Sequence, residues 1–225
     1  MYNLASIIVS EASNTKLNYL LDEEVMTEGP SLYLPFFVFL TVMVATPGPA
    51  NLLLINAGAS HGFRTNIPFL GGLIVGKIFL NIFVSVGLGT LVAHNTEITI
   101  ILSIGCTVYI SYLALKAWNN DIGNKGGLST YRFYEGIIVH VLSPKSWVMV
   151  TMAYSTFAVY FPEKPPVFAV VTCSFVVAQL LFHSFWCFLG AFLRRGIGYS
   201  KSLNRTLILL TIGAVIWAAV QATNT

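Results

Sequence analysis

The sequence has few charged residues. Asp, Glu, Lys and Arg make up 9% of its 225 residues, whereas hydrophobic residues make up 56%. Because an average soluble domain carries about 25% charged residues, this chain has too little charge to cover the surface of a soluble fold. It also lacks a basic run with interleaved aromatic residues, which argues against nucleic acid as a partner. The composition therefore predicts a protein embedded in a lipid bilayer.

Motifs of membrane enzymes and metal sites are also absent from the sequence. It contains no Gly-x-Ser-Gly of an intramembrane serine protease and no His-Glu-x-x-His of a metalloprotease. Cys106, Cys173 and Cys187 form no Cys-x-x-Cys or Cys/His pair, so we expect them to pack in apolar stretches. We predict that the protein is not an enzyme and needs no metal or other cofactor.

The start of the chain is acidic rather than apolar. Its first 31 residues hold five of the nine acids and a single base, Lys16. They lack the positively charged start, apolar core and small-residue cleavage site of a signal peptide. We predict an acidic extramembrane tail over residues 1–31 and a transmembrane domain over residues 32–225.

Six apolar stretches follow the tail, separated by short segments rich in turn-forming and charged residues. A helix needs about 20 mostly apolar residues to cross a bilayer. The pattern predicts spans near residues 33–56, 67–92, 98–118, 133–160, 166–193 and 204–221. The predicted fold is an all-α membrane protein of six transmembrane helices.

Basic residues outside the spans fall mainly on one side of the predicted membrane. Eight lie on the side reached after the first, third and fifth spans, and only Lys16 and Lys164 lie on the other. Because positive charge stays on the cytoplasmic side, we predict that both termini face outward. The eight residues are Arg64, Lys116, Lys125, Arg132, Arg194, Arg195, Lys201 and Arg205.

The first span is interrupted in its middle by the sequence Thr46-Pro47-Gly48-Pro49-Ala50-Asn51. Two prolines and a glycine break the ladder of helical hydrogen bonds. In hydrocarbon the freed carbonyl groups need other partners, so such a break faces protein or a watery cavity. The alternative is a simple proline kink without a functional role.

The fourth span repeats this feature at Ser143-Pro144-Lys145. Spans one and four are the first members of two groups of three, and because three is odd the second group enters the membrane in the opposite direction. Breaks in corresponding helices of inverted repeats point to a transport site near the midplane. We predict two inverted three-helix repeats, with helices 1 and 4 broken at Pro47-Gly48-Pro49 and Pro144.

Polar residues follow one face of the second span and one face of the fifth. Lys77, Asn81 and Ser85 recur every four residues, as do Gln179 and His183, so each set shares a helix face. His183 titrates near neutral pH and is a candidate carrier of a coupling proton. The alternative for these side chains is hydrogen bonding from helix to helix.

Two lysines lie deep inside predicted spans. A charge at a helix centre costs about 2.5–3.5 kcal/mol on insertion scales, so Lys77 and Lys145 need an anion, carbonyl groups or a wet cavity. Glu135 is the only acid near a span interior. The site should therefore accept a carboxylate from outside, helped by the dipole of the helix that starts after Pro49. The alternatives pair Lys145 with carbonyl groups freed by Pro144, and either pair Lys77 with Glu135 or let it reach the outer or inner membrane surface.

These motifs resemble the lysine exporter family, LysE/RhtB, of bacterial amino-acid efflux proteins. The resemblance is carried by residues 45–51, 61–64, 71–76, 87–89, 109–118 and 142–147, and it runs from about Met26 to the C-terminus. Within it, Gly72 and Gly76 also predict a close helix contact. The sequence departs from the family at Ser143, where Asn is usual, and at Lys77, where an apolar or small residue is expected.

The resemblance implies a secondary transporter that exports amino acids or their derivatives across the bacterial inner membrane and is coupled to the proton gradient. Its expected partners are the bilayer and a small amino-acid-like substrate, and a homodimer stays open. The alternatives are an exporter of a metal cation or other small solute, a passive channel and a membrane-embedded enzyme. Candidate proton-coupling residues are His183 and Glu135. The predicted substrate-binding residues are Pro47, Gly48, Pro49, Asn51, Lys77, Asn81, Pro144 and Lys145.

Overall fold

The computed structural model describes residues 33–118, 131–157, 166–196 and 201–223, and within these ranges all regular structure is helical. The described residues fall into two compact units, one that ends at Phe39 and one that begins at Leu40. The described part of the first unit is the beginning of the first helix. The predicted acidic tail over residues 1–31 lies outside the described residues.

Nine α-helices follow one another in the described ranges. A 3₁₀ turn, Arg64–Asn66, precedes the third helix, and a π-helical segment, Ala153–Phe157, follows the seventh. The helices are α1 (Tyr33–Ala45), α2 (Pro49–His61), α3 (Ile67–Ser85), α4 (Leu88–His94), α5 (Thr96–Lys116), α6 (Phe133–Leu142), α7 (Pro144–Met152), α8 (Val167–Gly196) and α9 (Lys201–Thr223).

By length and composition the described helices offer four membrane spans, or six if each of two bent pairs is one span. α3, α5, α8 and α9 are each long and apolar enough to cross a bilayer alone. The bent pairs are α1 with α2, at an angle of 52°, and α6 with α7, at 67°. The prediction of an all-α membrane protein is confirmed, and both bends fall at the breaks predicted from proline.

The second span ends earlier than its apolar pattern predicts. We expected it to continue to residue 92, but α3 ends at Ser85 and the short helix α4 begins at Leu88. Gly87 lies between them with φ 96°, a left-handed conformation that glycine adopts without a steric penalty. Hydropathy does not register this turn, because the residues on both sides of it are apolar.

The first span continues further than predicted. We expected it to end near residue 56, but α2 runs to His61. The polar side chains near its C-terminal end lower the hydropathy, which predicts the end of a span. In the structure these side chains are buried and form hydrogen bonds. Asn56 donates to the side-chain oxygen of Asn204 in α9 at 2.9 Å, and Asn66 donates to the carbonyl oxygen of Ala57 at 2.9 Å.

The helices of the two predicted groups pack against each other. α2, from the first broken span, packs along α8, while α6, from the second broken span, packs along α3. The last helices of the two groups, α5 and α9, also pack together. Each broken span thus contacts the second helix of the other group, which is the reciprocal pattern that two inverted repeats produce.

Glycines bring backbones into contact at two of these interfaces. A Cβ atom at Gly58 would lie 1.9 Å from a carbonyl oxygen of α8, and one at Gly190 would lie 2.0 Å from a carbonyl oxygen of α2. In the α3–α6 pair the corresponding distances are 1.8 Å at Gly72 and 2.4 Å at Gly136. No side chain fits at such distances, so we call these contacts the glycine crossings. The predicted packing role of Gly72 and Gly76 is confirmed.

Polar contacts join the helix ends beyond the glycine crossings. Arg194 in α8 donates to the carbonyl oxygen of Ser60 in α2 at 3.1 Å. Lys116 in α5 forms an ion pair with Glu135 in α6 at 2.7 Å. These contacts link the helices at one end of the bundle. We call it the basic end because its described residues include Arg64, Lys116, Arg132, Arg194 and Arg205.

Candidate functional site

Side chains hold the first helix break in place by bonding its freed carbonyl groups. The Asn51 amide nitrogen donates to the carbonyl oxygens of Val44 at 3.2 Å and Thr46 at 3.0 Å. The Trp186 indole nitrogen of α8 donates to the carbonyl oxygen of Ala45 at 3.2 Å. The expectation that these carbonyl groups find partners other than the helix is therefore confirmed.

The second break is built in a similar way. The Trp147 indole nitrogen donates to the carbonyl oxygen of Val141 at 2.8 Å. α7 restarts at Pro144 after Ser143, and α2 restarts at Pro49 after Gly48; neither helix has a side-chain cap on its first turn. Both breaks thus end in a helix N-terminus whose backbone N–H groups suit an anion.

Lys145 joins the two breaks. Its ammonium group donates to the carbonyl oxygen of Thr46 at 3.3 Å, and a Cβ atom at Gly48 would lie 3.4 Å from the same nitrogen. The alternative that paired Lys145 with carbonyl groups freed by Pro144 is not what the structure contains. The carbonyl partner of Lys145 belongs to the first break, so the two broken spans meet through this side chain.

A small cavity lies between the breaks. Its volume is about 30 Å³, which is roughly the share of one molecule in liquid water. Five predicted residues line it, namely Gly48, Pro49, Asn51, Lys145 and His183. Sequence patterns far apart in the chain therefore converge on one place, which we call the break cavity.

Other predicted residues lie elsewhere. Pro47 is exposed, and Pro144 lines a separate, mainly apolar cavity of about 170 Å³ beside Trp147. Asn81 is buried in α3, where its amide nitrogen donates to the carbonyl oxygen of Lys77 at 2.9 Å. Asn81 thus bonds within its own helix, not across to another one as the alternative had it.

The Glu135 carboxylate caps the N-terminus of α6 and forms an ion pair there. One carboxylate oxygen pairs with Lys116, and the other accepts a hydrogen bond from the backbone N–H of Arg132 at 2.6 Å. This places the carboxylate at the basic end and not among the residues that line the break cavity. The alternative that paired Lys77 with Glu135 is wrong, because the acid already has a closer cation.

Four polar residues that line the break cavity were not among the predicted site residues, namely His140, Ser143, Ser146 and Gln179. The Gln179 amide nitrogen donates to Nε2 of His140 at 3.3 Å, which leaves the proton of a neutral His140 on Nδ1, 2.8 Å from the Ser146 hydroxyl oxygen. The His140 ring stacks on His183 with centroids 5.5 Å apart. The available signal was a lone histidine in an apolar span, three residues before a break, together with the four-residue spacing of Gln179 and His183.

The break cavity presents unpaired polar atoms. Asn51 Oδ1, Gln179 Oε1 and His183 Nδ1 are buried without a hydrogen-bond partner among the described residues. Each can accept a hydrogen bond, and each parent side chain lines the cavity. A buried acceptor without a donor costs free energy, so these atoms favour a ligand that carries N–H groups.

Lys77 lies deeper than the lining of the break cavity. It is 0% exposed, and its ammonium nitrogen is 5.0 Å from the ring centroid of Phe175 in α8. That nitrogen has no hydrogen-bond partner in the described part of the chain. It is within electrostatic range of Lys145, His140 and His183. Lys77 therefore neighbours the site without touching its interior.

Comparison with known proteins agrees with this architecture. The chain is 24% identical over 194 residues to the cysteine/O-acetylserine efflux protein of Klebsiella pneumoniae subsp. pneumoniae, covering 85% of this chain and 99% of the relative. It is 26% identical over 188 residues to the protein of the same description from Escherichia coli O1:K1, covering 81% and 95%. No solved structure matches significantly. Residues 41–221 match the family described as LysE type translocator, so the chain belongs to this family of multi-pass membrane transporters.

Proposed function

We propose that the protein exports small zwitterionic amino acids or their derivatives from the bacterial cytoplasm in exchange for protons. Membership in the translocator family supports a transporter over an enzyme, and the relatives described as cysteine/O-acetylserine efflux proteins support small amino-acid substrates. The observation that carries the proposal is the break cavity, in which one ammonium group faces three unpaired acceptors.

The carboxylate of the substrate binds at the Lys145 side of the cavity. Lys145 supplies a charged donor, and the uncapped N-termini of α2 and α7 supply backbone N–H groups with a favourable dipole. Lys145 now donates to the Thr46 carbonyl oxygen at 3.3 Å, a long hydrogen bond that a carboxylate can replace.

The α-ammonium of the substrate binds at the opposite set of atoms. It carries three N–H groups, and the cavity offers Asn51 Oδ1, Gln179 Oε1 and His183 Nδ1. The Asn51 amide is oriented by its two carbonyl acceptors, so its oxygen is directed away from them. The two ends of a zwitterion thus meet partners of opposite character, which is how buried polar groups become satisfied.

The charges around the cavity favour substrates with uncharged side chains. Two lysines lie at or beside it, and none of the described residues that line it is acidic. A basic side chain would meet like charge without a compensating carboxylate. Cysteine and O-acetylserine, named for the relatives, carry no such charge.

The present shape corresponds to a closed state in this proposal. A cavity of about 30 Å³ is too small for an amino acid, so the helices must part to admit one. The glycine crossings close the basic end, which the excess of Lys and Arg assigns to the cytoplasm. Export then requires that the two groups of helices rock against each other around the break cavity, as inverted repeats do.

We also propose residence in the inner membrane with both termini outward; the homodimer stays a prediction. Single cysteines at Thr65, in the 3₁₀ turn before α3, and at Thr96, the first residue of α5, test the orientation in a variant without the three native cysteines. Both threonines are exposed. Cysteine at residue 96 should react with an impermeant thiol reagent on intact cells, and cysteine at residue 65 only after permeabilisation. The reverse pattern contradicts the orientation.

The test of function is efflux from cells that contain or lack the gene. A panel of labelled amino acids, including cysteine and O-acetylserine, should show gene-dependent export of small zwitterions and none of lysine or arginine. Analogues without the amine or without the carboxylate should compete poorly. Gene-dependent export of metal cations alone, or of none of the panel, would contradict the proposal.

A further inference from the structure

We infer that Lys77 carries the coupling proton and that its charged form excludes the substrate from the break cavity. The inference rests on the proposed function and names the residue through which proton and substrate compete. The starting observation is a lysine at 0% exposure inside a membrane span, without a hydrogen-bond partner in the ranges that the structure describes.

The position of Lys77 connects it to the residues assigned to the substrate ammonium. Its nitrogen lies over the ring of Phe175, and Phe175, Gln179 and His183 follow one another at four-residue intervals along one face of α8. Lys77 is therefore about one helical turn from Gln179 and two from His183. A charge on Lys77 acts on the cavity through this short stretch of buried helix.

The groups that face Lys77 do not include an acid. His140 lies on α6, Lys145 on α7 and His183 on α8. Of the two acids in the described ranges, Glu135 is paired with Lys116, and Glu97 lies exposed at the start of α5. The ammonium group of Lys77 instead lies over the face of the Phe175 ring, which attracts a cation.

Beside Lys145, whose charge the substrate carboxylate balances, this environment allows one further positive charge but opposes two. Without substrate, the protonated Lys77 is held by the aromatic ring. When the substrate brings its own ammonium to Gln179 and His183, two like charges share a medium of low dielectric, and the repulsion between them is strong. Lys77 relieves it by losing its proton, since a lysine changes protonation readily when it is buried.

The exchange balances as one proton against one zwitterion. On the cytoplasmic side an N–H bond of the Lys77 ammonium breaks, the electron pair stays on nitrogen and the proton passes to water as substrate binds. On the outer side the substrate leaves, and the free amine takes a proton from water. Each cycle exports a neutral zwitterion and imports one positive charge, so transport is electrogenic.

The residues predicted for proton coupling are less suited to this role. Glu135 is ion-paired at the basic end. His183 offers Nδ1 as an acceptor to the substrate, and His140 already uses both ring nitrogens with Ser146 and Gln179. Among the described residues, Lys77 is the buried titratable group beside the cavity that remains. It takes no part in holding the breaks and is not one of the proposed substrate contacts.

Purified protein in liposomes tests the inference with radiolabelled cysteine, kept reduced, as the probe. Two assays are compared, namely accumulation driven by a pH gradient and exchange between labelled and unlabelled cysteine, which needs no net proton movement. The variants are Lys77→Met, which removes the charge at similar length, and Lys77→Arg, which keeps it permanently. Lys116→Met is the matched control because this lysine lies at the basic end, outside the cavity.

Wild type and Lys116→Met should perform both reactions. Lys77→Met should exchange cysteine at a rate within about threefold of wild type and without pH dependence, but should lose gradient-driven accumulation. Lys77→Arg should lose exchange by about tenfold or more because its charge stays in place. Lys77→Gln replaces Lys77→Met if the latter is not recovered in folded form.

The outcomes separate this inference from the function on which it rests. Gradient-driven accumulation by Lys77→Met, or exchange at the wild-type rate by Lys77→Arg, would overturn the role of Lys77. Wild-type protein that exchanges cysteine but shows no accumulation driven by a pH gradient would also overturn it while leaving the transporter intact. If the wild type exchanges neither cysteine nor any zwitterion exported by cells, the proposed function itself fails.

Discussion

The glycine crossings and the break cavity achieve helix contact in opposite ways. At the crossings, side chains are missing, and the backbones of α2 and α8 and of α3 and α6 meet directly. At the breaks, the backbone itself is interrupted, and side chains such as Asn51, Trp147 and Trp186 take over its hydrogen bonds. The first region is fixed by shape, whereas the second carries polar groups that a substrate can rearrange. We therefore expect the basic end to be rigid and the substrate to bind in the middle of the bundle.

Filling a glycine crossing should have the largest effect. In Gly58→Val the new Cβ atom would lie 1.9 Å from the carbonyl oxygen of Cys187, so α2 and α8 must separate. We expect a loss of more than about 4 kcal/mol, as for other severe steric changes in a core, seen as little monodisperse protein on size exclusion. Gly213→Val is the control, because no atom lies within 4 Å of the added carbon. Equal recovery of both variants would contradict the crossing.

Repairing the first break should abolish transport while sparing the fold. Replacing Pro47-Gly48-Pro49 by three alanines restores helical hydrogen bonding, since alanine favours helix by about 3 kcal/mol over each proline and about 1 kcal/mol over glycine. Insertion should be normal, but the uncapped N-terminus at Gly48 and the contact with Lys145 would be lost. The measurement compares protein yield with efflux from cells. A variant that exports at the wild-type rate would show that the break is not the site.

Removing one hydrogen bond that supports the break should have the smallest effect. Trp186→Phe keeps an aromatic ring in α8 but deletes the donor to the carbonyl oxygen of Ala45. The expected loss is about 0.5–1.5 kcal/mol, typical of one hydrogen bond, with export reduced only modestly. Thermal unfolding in detergent measures it, with Trp217→Phe on the exposed face of α9 as control. A loss as large as that of Gly58→Val would mean that the breaks are as rigid as the crossings.

The breaks could be predicted because proline acts locally. Pro47, Pro49 and Pro144 remove a backbone N–H and crowd the preceding turn in any tertiary setting, so the sequence alone located both bends. The α3–α6 crossing was partly visible in the spacing of Gly72 and Gly76. Its counterpart at Gly58 and Gly190 was not visible, because each of these glycines contacts the backbone of a helix that is far away in the sequence.

The partners of the charged and polar side chains required the structure. Lys145 bonds a carbonyl group of the other break, and Glu135 pairs with Lys116, although sequence spacing favoured neither contact. His140 finds its partners in Gln179 of α8 and Ser146 of α7, which no spacing in the sequence indicates. Which face of an apolar helix turns inward depends on all of its neighbours at once, so composition and periodicity do not decide it.

The central claim is that Lys145 and the paired breaks hold the carboxylate of the substrate. The most direct test combines Lys145→Met with a change in the ligand, using an exported zwitterion and its methyl ester in competition for exchange by liposome-reconstituted protein. Wild type should prefer the zwitterion by about tenfold or more, the worth of a charge-assisted hydrogen bond. Lys145→Met should lose this preference and bind both forms alike. An equal preference for the zwitterion in both proteins would show that the carboxylate lies elsewhere.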